Sequence, residues 1–349
     1  LVTGGAGFIG CALSSHLASR YSHVVALDNL HPQIHATPTR PAFLSGDVEL
    51  VVGDVTTSET WDNLLPSFRP QVIIHLAAET GTGQSLTEST RHAQTNVMGT
   101  TVMLDALQRH NALPETIVLS SSRAVYGEGA WQNLADGTLV HPGQRTREQL
   151  ARAEWDFAGH RALPSSATRT RPSPVSVYGA TKLAQEHLLS SWAQALGTRL
   201  VMLRLQNVYG PGQSLTNSYT GIVSLFCQLA RQGKSIPLYE DGQMLRDFVL
   251  IDDVAAAFVH ALADETIGPA PLDIGTGLAT TLAEMAHTIA ALYDAPAPHV
   301  CGKYRLGDVR HTFCVQDETL KRFDWKPRHS IKEGLVALTS WIDRQSSLL

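Results

Sequence analysis

Residues 1–18, LVTGGAGFIGCALSSHLA, decide the fold. A short apolar run ends in a glycine turn, and a helix follows with Leu13 and Leu17 on one face. Further short, near-continuous apolar runs appear at 23–28 (HVVALD), 48–54 (VELVVGD), 71–78 (QVIIHLAA), 116–122 (TIVLSSS) and 199–207 (RLVMLRLQN). Helical patterns fall between them at about 91–110 and 178–196. Strands apolar throughout must be covered on both faces, so alternation with helices predicts a parallel sheet with helices on each side. Right-handed crossovers then favour a doubly wound α/β fold.

After Gly210 the rhythm changes. Turn-rich sequence, short strands and helices mix, which predicts a smaller mixed α/β C-terminal lobe made of 208–245 and 273–349. The segment 246–272 is expected to return to the first domain, residues 1–207. Residues 128–176 read as an insertion of unknown role with little strand character, in which TREQLARAEWDFAGHRA has a helical pattern. Leu188, Leu189 and Trp192 have the spacing of an apolar stripe, read as core packing.

Composition narrows the function classes. The 349 residues are 43% hydrophobic and 17% charged, as in an ordinary soluble protein. A net charge of −5 and no run of Lys or Arg argue against nucleic acid or an anionic membrane as partner. No apolar stretch approaches the roughly 20 residues of a membrane-spanning helix. Cys11, Cys227, Cys301 and Cys314 lie far apart, which predicts neither a disulfide framework nor a metal site and favours a cytoplasmic location. Leu1 already lies inside an apolar run, so preceding residues are expected and the absence of a leader carries no weight.

The glycine turn carries the first chemistry. In GGAGFIG the glycines Gly4, Gly7 and Gly10 suit a tight turn, close backbone approach to a pyrophosphate, and close helix–strand packing. The helix start behind them, at Phe8 and Ile9, offers N–H groups to phosphate. The second strand ends at Asp28, 18 residues past Gly10, where a carboxylate accepts both ribose hydroxyls and repels a 2′-phosphate. Asn29 and Leu30 bring no arginine, so NAD is expected over NADP. Asp54, at the next strand end beside Val55, is expected near the adenine.

The second chemistry lies at 120–122 and 178–182. Strand ends of an open parallel sheet face the ligand crevice, so Ser120, Ser121 and Ser122 are delivered there. Tyr178 and Lys182, four apart, share a helix face. A hydroxyl, a phenol and an ammonium suit hydride transfer at a carbinol carbon. The ammonium of Lys182 is expected to favour the phenolate of Tyr178, whose free pKa near 10 makes it a poor base.

Taken together, GGAGFIG, DN, GDV, HLAA, NVMGT, SSSRAVYG, YGATK, RLQNVYGPG, DGQMLRDFVLIDDVA, DIGTG and RLGDVRH resemble the extended short-chain dehydrogenase/reductase family, in particular its nucleotide-sugar epimerases and dehydratases. The resemblance runs almost the whole chain. It implies a Rossmann-type NAD domain and a lobe that binds a nucleoside diphosphate sugar. It implies that Ser122, Tyr178 and Lys182 are catalytic, that Leu76, Ala77, Ala78, Asn96 and Ser120 lie on the cofactor side, and that Glu79 and Thr80 border the sugar. Asn207, Arg246, Arg305 and Asp308 would hold the diphosphate and nucleoside; paired guanidinium groups suit a diphosphate because each grips two oxygens. A homodimer is implied as well.

The two residues after Ser122 narrow the reaction. Dehydratases of the family carry Asp-Glu there, and this chain has Arg123-Ala124, neither of which does acid–base work near neutral pH. C4 epimerisation through a 4-keto sugar is therefore expected. The wording of several motifs resembles a deoxy-sugar subgroup, implying dTDP-L-rhamnose as substrate. UDP-glucose/UDP-galactose or an N-acetyl sugar is the alternative, and a non-catalytic NAD(P) sensor the rival from another class.

Overall fold

The computed structural model describes residues 1–215 and 221–346. Residues 216–220, inside the turn-rich stretch after Gly210, lie outside the described residues. Seven parallel strands form the main sheet: β1 (Val2–Thr3), β2 (Val25–Asp28), β3 (Glu49–Val52), β4 (Val72–His75), β5 (Thr116–Ser122), β6 (Arg199–Leu205) and β7 (Leu272–Ile274). Their order is β7-β6-β5-β4-β1-β2-β3, so the direction of winding reverses beside β1. That reversal opens a crevice at the carboxyl ends of the strands.

The strands expected from the apolar runs all form; that at 116–122 keeps its full length and the others are shorter than their runs. Gly53 and Asp54 leave the sheet after Val52, and Leu76 to Ala78 leave it after His75. Of these trimmed ends, Gly53 and Leu76 to Ala78 line the crevice. Strand β7 was not expected; it pairs Leu272–Ile274 with Leu203–Leu205 and closes the return segment.

Each sheet face is covered. On one, the helices Phe8–Arg20 and Ile251–Ala263 bury Leu13, Leu17, Val254 and Phe258. Phe323 and Trp325, far along the tail, join this same core rather than the lobe. On the other face lie Gly99–Arg109 and the tyrosine helix Val177–Leu196, with Met103, Leu107, Leu189 and Ala193 inside. Trp192 packs at the edge of that core, as its spacing suggested. The tyrosine helix starts at Ser176, whose hydroxyl accepts the Gly179 N–H at 3.1 Å, and stops at Gly197 in the left-handed region.

The helix expected at 91–110 is interrupted. Ser89–Ala93 and Gly99–Arg109 are joined by a π-helical turn, Gln94–Met98, and that wider turn points Asn96 inward, where it is fully buried. A second apolar core is built from Phe226, Met244, Met285, Ile289, Leu338 and their neighbours, and Phe248, Leu250 and Ile251 of the return segment take part in it.

The insertion differs most from its sequence reading. It holds a three-stranded antiparallel sheet of Trp131–Asn133, Leu139–Val140 and His160–Ala162. Helix forms only over Arg147–Ala151. The strands are two or three residues long, too short for a two-residue period to stand out.

Candidate active site

A cleft of about 560 Å³ runs along the strand ends, and the glycine turn, Asp28, the serines of β5, Tyr178, Lys182 and Asn207 all line it. Its cofactor end is built by close approach. A side chain at Gly4 would place Cβ 2.7 Å from the Ala77 nitrogen, so the turn lies directly on the 76–78 segment. Gly10 lies against Gly5, which lets the first helix start tight on β1. No side chain caps that helix at Gly7, so its leading N–H groups stay available to an anion.

Asp28 is 9% exposed and already structured. Its Oδ2 accepts the Ala6 N–H at 3.0 Å and its Oδ1 the Leu30 N–H at 2.9 Å. A carboxylate has about four lone-pair sites, so acceptor capacity remains for ribose hydroxyls. Phe8, Ile9, Asn29, Val55, Leu76, Ala77 and Ala78 complete this end of the cleft. The cradle and the acidic strand end therefore fit a dinucleotide such as NAD.

Asp54 is set back from the cleft. It accepts from Asn29 Nδ2 at 3.0 Å and from the Thr56 N–H and hydroxyl at 2.8 and 2.7 Å. Burial works against its charge, but these hydrogen bonds hold the carboxyl below its ordinary range. It positions Asn29. Asn96 likewise braces from behind: it accepts the Glu79 N–H at 2.7 Å and donates to the Glu79 carbonyl at 3.0 Å and to Thr181 Oγ1 at 2.9 Å. Glu79 and Thr80 do line the cleft, with Glu79 paired to Arg91 at 2.8 Å.

At the reaction end, Ser120 and Ser122 reach the cleft from the end of β5. Ser122 also accepts the Ala124 N–H at 3.2 Å and starts the tight turn Arg123–Tyr126. The neighbouring Ser121 donates to Glu186 at 2.5 Å, and Glu186 takes two hydrogen bonds from Arg204, at 2.9 and 2.7 Å. Gly179 is the reason the tyrosine helix comes so close: a Cβ there would lie 2.5 Å from the Ala124 carbonyl oxygen.

The electrostatics depart from the expectation drawn for Lys182. Its ammonium is 3% exposed and donates to Gln185 Oε1 at 2.6 Å, one turn along its own helix. Burial pulls its pKa down to about 7, with Glu186 opposing. Behind it, His75 is fully buried, touching Thr3, Thr100 and Gln185, and burial with the Lys182 charge lowers it to about 3, so it is neutral. Burial pushes the Tyr178 phenol up; the Ser122 hydrogen bond and the charge of Arg123 pull it back. Arg123 therefore joins Ser122 as a group that favours the charged phenol. Sequence reasoning passed over Arg123, Gln185 and His75, although Arg123 adjoins Ser122 in the quoted motif.

The nucleotide-side residues are dispersed. Asn207 lines the cleft, with a buried Oδ1 that has no hydrogen-bond partner among the described residues. Arg246 spends Nη1 on the carbonyls of Leu245 and Arg310, at 2.7 and 3.0 Å, and Nη2 on that of Val309 at 2.7 Å. Arg305 is exposed and stacks 5.0 Å over the Tyr239 ring, while Asp308 accepts from Thr82 at 3.4 Å. None of these three lines the cleft.

A seven-stranded doubly wound sheet, a glycine cradle with an acidic strand end, and Ser122, Tyr178 and Lys182 on one cleft define a dinucleotide-dependent enzyme that acts on an alcohol carbon. A sequence profile of the NAD dependent epimerase/dehydratase family matches residues 1–153 and 157–275, and this chain belongs to that family. The chain is 61% identical to dTDP-L-rhamnose 4-epimerase of Burkholderia thailandensis, over 99% of this chain and 95% of that one. It is 28% identical to the UDP-glucose 4-epimerase of Mycolicibacterium smegmatis, over 99% of each. Among solved structures it resembles the Thermus thermophilus UDP-glucose 4-epimerase in complex with NAD, with a TM-score of 0.77 and 28% identity over 98% of both chains. A Thermotoga maritima UDP-glucose 4-epimerase with UDP-glucose superposes with a TM-score of 0.82 at 25% identity, over 99% and 98%.

Proposed function

We propose that this protein is an NAD-dependent isomerase that inverts C4 of a nucleoside diphosphate sugar, with dTDP-L-rhamnose as substrate and dTDP-6-deoxy-L-talose as product. The observation that carries the reading is the 61% identity to the Burkholderia thailandensis enzyme over nearly both full lengths, in a chain that keeps Ser122, Tyr178 and Lys182 on one cleft. Bound NAD supplies a reversible hydride acceptor for the C4 carbon.

In this reading the protein's own groups do the rest. Tyr178 takes the 4-hydroxyl proton and later returns it. Ser122 holds the same oxygen, and its distance from Tyr178 is fixed by the packing of Gly179 on Ala124. Lys182 holds the nicotinamide ribose, with Gln185 and His75 as its backing. Asn207 meets the diphosphate, Arg305 and Asp308 the nucleoside, and Arg246 braces the 309–310 backbone beside them. The absence of carboxylates at 123 and 124 argues against dehydration. A homodimer, a cytoplasmic location and a place in polysaccharide biosynthesis complete the proposal; among the described residues no helix is long and apolar enough to cross a membrane.

Incubating the purified protein with dTDP-L-rhamnose and, separately, with UDP-glucose, and following the sugar by NMR, tests it. Appearance of the C4 epimer from dTDP-L-rhamnose is the expected result. Turnover of UDP-glucose alone removes the deoxy-sugar assignment.

A further inference from the structure

The reaction end contains a cation to which the roles of Ser122, Tyr178 and Lys182 assign nothing. Arg123 opens the tight turn after β5 and is the one arginine that lines the cleft among the described residues. Its Nη1 is buried and has no hydrogen-bond partner among the described residues. Arg204 also keeps a buried Nη1 without a partner among the described residues, but it does not line the cleft, and the other arginines nearby are paired. Arg246 is spent on three backbone carbonyls, and Arg145 and Arg310 are met by carboxylates. A buried N–H left unpaired costs on the order of 1–3 kcal/mol, more on a charged group, so the site is complete only when something in the cleft offers an acceptor.

The position selects the acceptor. Arg123 follows Ser122 directly in the chain, and its charge and the Tyr178 phenol act on each other. Gly179, packed against the Ala124 carbonyl, fixes the turn of Arg123 to the helix of Tyr178. The other charges facing this end are Lys182, which donates to Gln185 with Glu186 and His75 beside it, and Arg246 and Asp308, which act on Arg123.

We propose that Arg123 is a catalytic residue: its Nη1–H hydrogen-bonds the sugar oxygen at which Tyr178 exchanges a proton, and its charge holds the negative charge shared between that oxygen and the phenol. The inference rests on the C4-epimerase reading. Arg123 donates a hydrogen bond and keeps its proton; the proton that moves travels between the sugar hydroxyl and Tyr178. A preorganised donor at an oxygen that gains charge in the transition state speeds the step without tightening ground-state binding.

The test uses the NAD-loaded full chain with Arg123→Gln and Arg123→Lys. NAD content and thermal midpoint equal to wild type establish that each variant is folded. The expected result for Arg123→Gln is a fall in kcat of about 100-fold with KM changed by less than about threefold. The acid limb of the kcat profile and a near-ultraviolet titration of the phenol, with Tyr178→Phe as blank, both move up by about one pH unit. Arg123→Lys restores part of each. A raised KM with unchanged kcat and phenol titration would mean that Arg123 grips the diphosphate and would overturn the proposal, as would no change at all. If the wild-type protein turns over neither dTDP-L-rhamnose nor UDP-glucose, the epimerase reading fails; the phenol titration needs no substrate, and an unshifted one rejects Arg123 independently.

Discussion

Charge is buried in two parts of this molecule, and it is handled in opposite ways. Where the insertion meets the lobe, the side chains of Arg145 and Arg310 are each 1% exposed and fully engaged. Arg310 meets Asp156, Glu240 and Asp241 through all three guanidinium nitrogens, and Arg145 meets Glu128, Glu240 and the carbonyls of Trp155 and Asp308. At the reaction end, among the described residues, Arg123 keeps a buried N–H free and the Lys182 ammonium donates to a neutral amide. Paired buried charge fixes a geometry, and here every guanidinium nitrogen of the two arginines is engaged, while Glu240 keeps one buried oxygen, Oε1, without a partner among the described residues. Unsaturated buried charge stores a demand that a ligand can meet.

The contrast is open to direct attack, most strongly at the phenol. Tyr178→Phe removes the group that exchanges the proton, and kcat is expected to fall about 10³-fold while bound NAD is retained; a variant that keeps wild-type turnover breaks the reaction-end half of the comparison. On the other side, Arg310→Leu leaves Asp156, Glu240 and Asp241 facing an apolar stub. Denaturant unfolding is expected to show a loss of about 3–5 kcal/mol, with kcat of the folded fraction nearly unchanged.

Gly179→Ala tests the seam between the Arg123 turn and the tyrosine helix. The added methyl meets the Ala124 oxygen, so helix and turn move apart; kcat is expected to drop about 10- to 100-fold and stability by about 1–3 kcal/mol, read from kinetics and thermal unfolding. A further effect concerns pH and is small near neutrality. His75 is held neutral, its pKa lowered from 6.5 to about 3. In that window the unfolded chain binds the proton and the folded one does not, so His75 lowers stability as pH falls from 6.5 toward 3, with a limiting slope of about 1.4 kcal/mol per pH unit. His75→Gln is expected to flatten that part of a stability-versus-pH curve.

The two regions also differ in how legible they were beforehand. The doubly wound sheet, the glycine cradle, Asp28 and the placement of Tyr178 and Lys182 on one cleft come from local patterns: apolar runs, glycines at fixed offsets, and a four-residue helical spacing. The features that escaped detection depended on partners far along the chain. Trp131–Asn133 forms a strand because Val140 and Ala162 lie beside it, and Phe323 enters the sheet's core from the tail. The helix that sets ammonium and phenol on one face also brings Gln185 within reach of the ammonium.

By itself, the sequence determined which groups reach the strand ends, because strand alternation, turn glycines and helical periodicity are rules of a few consecutive residues. The tertiary structure decided which of those groups are paired. In the sequence Arg246 is assigned to the diphosphate and Arg123 is given no binding role, yet Arg123 keeps a free N–H in the cleft and Arg246 is tied to the backbone at 309 and 310. Pairing depends on burial and on neighbours from distant segments, and no local pattern encodes either.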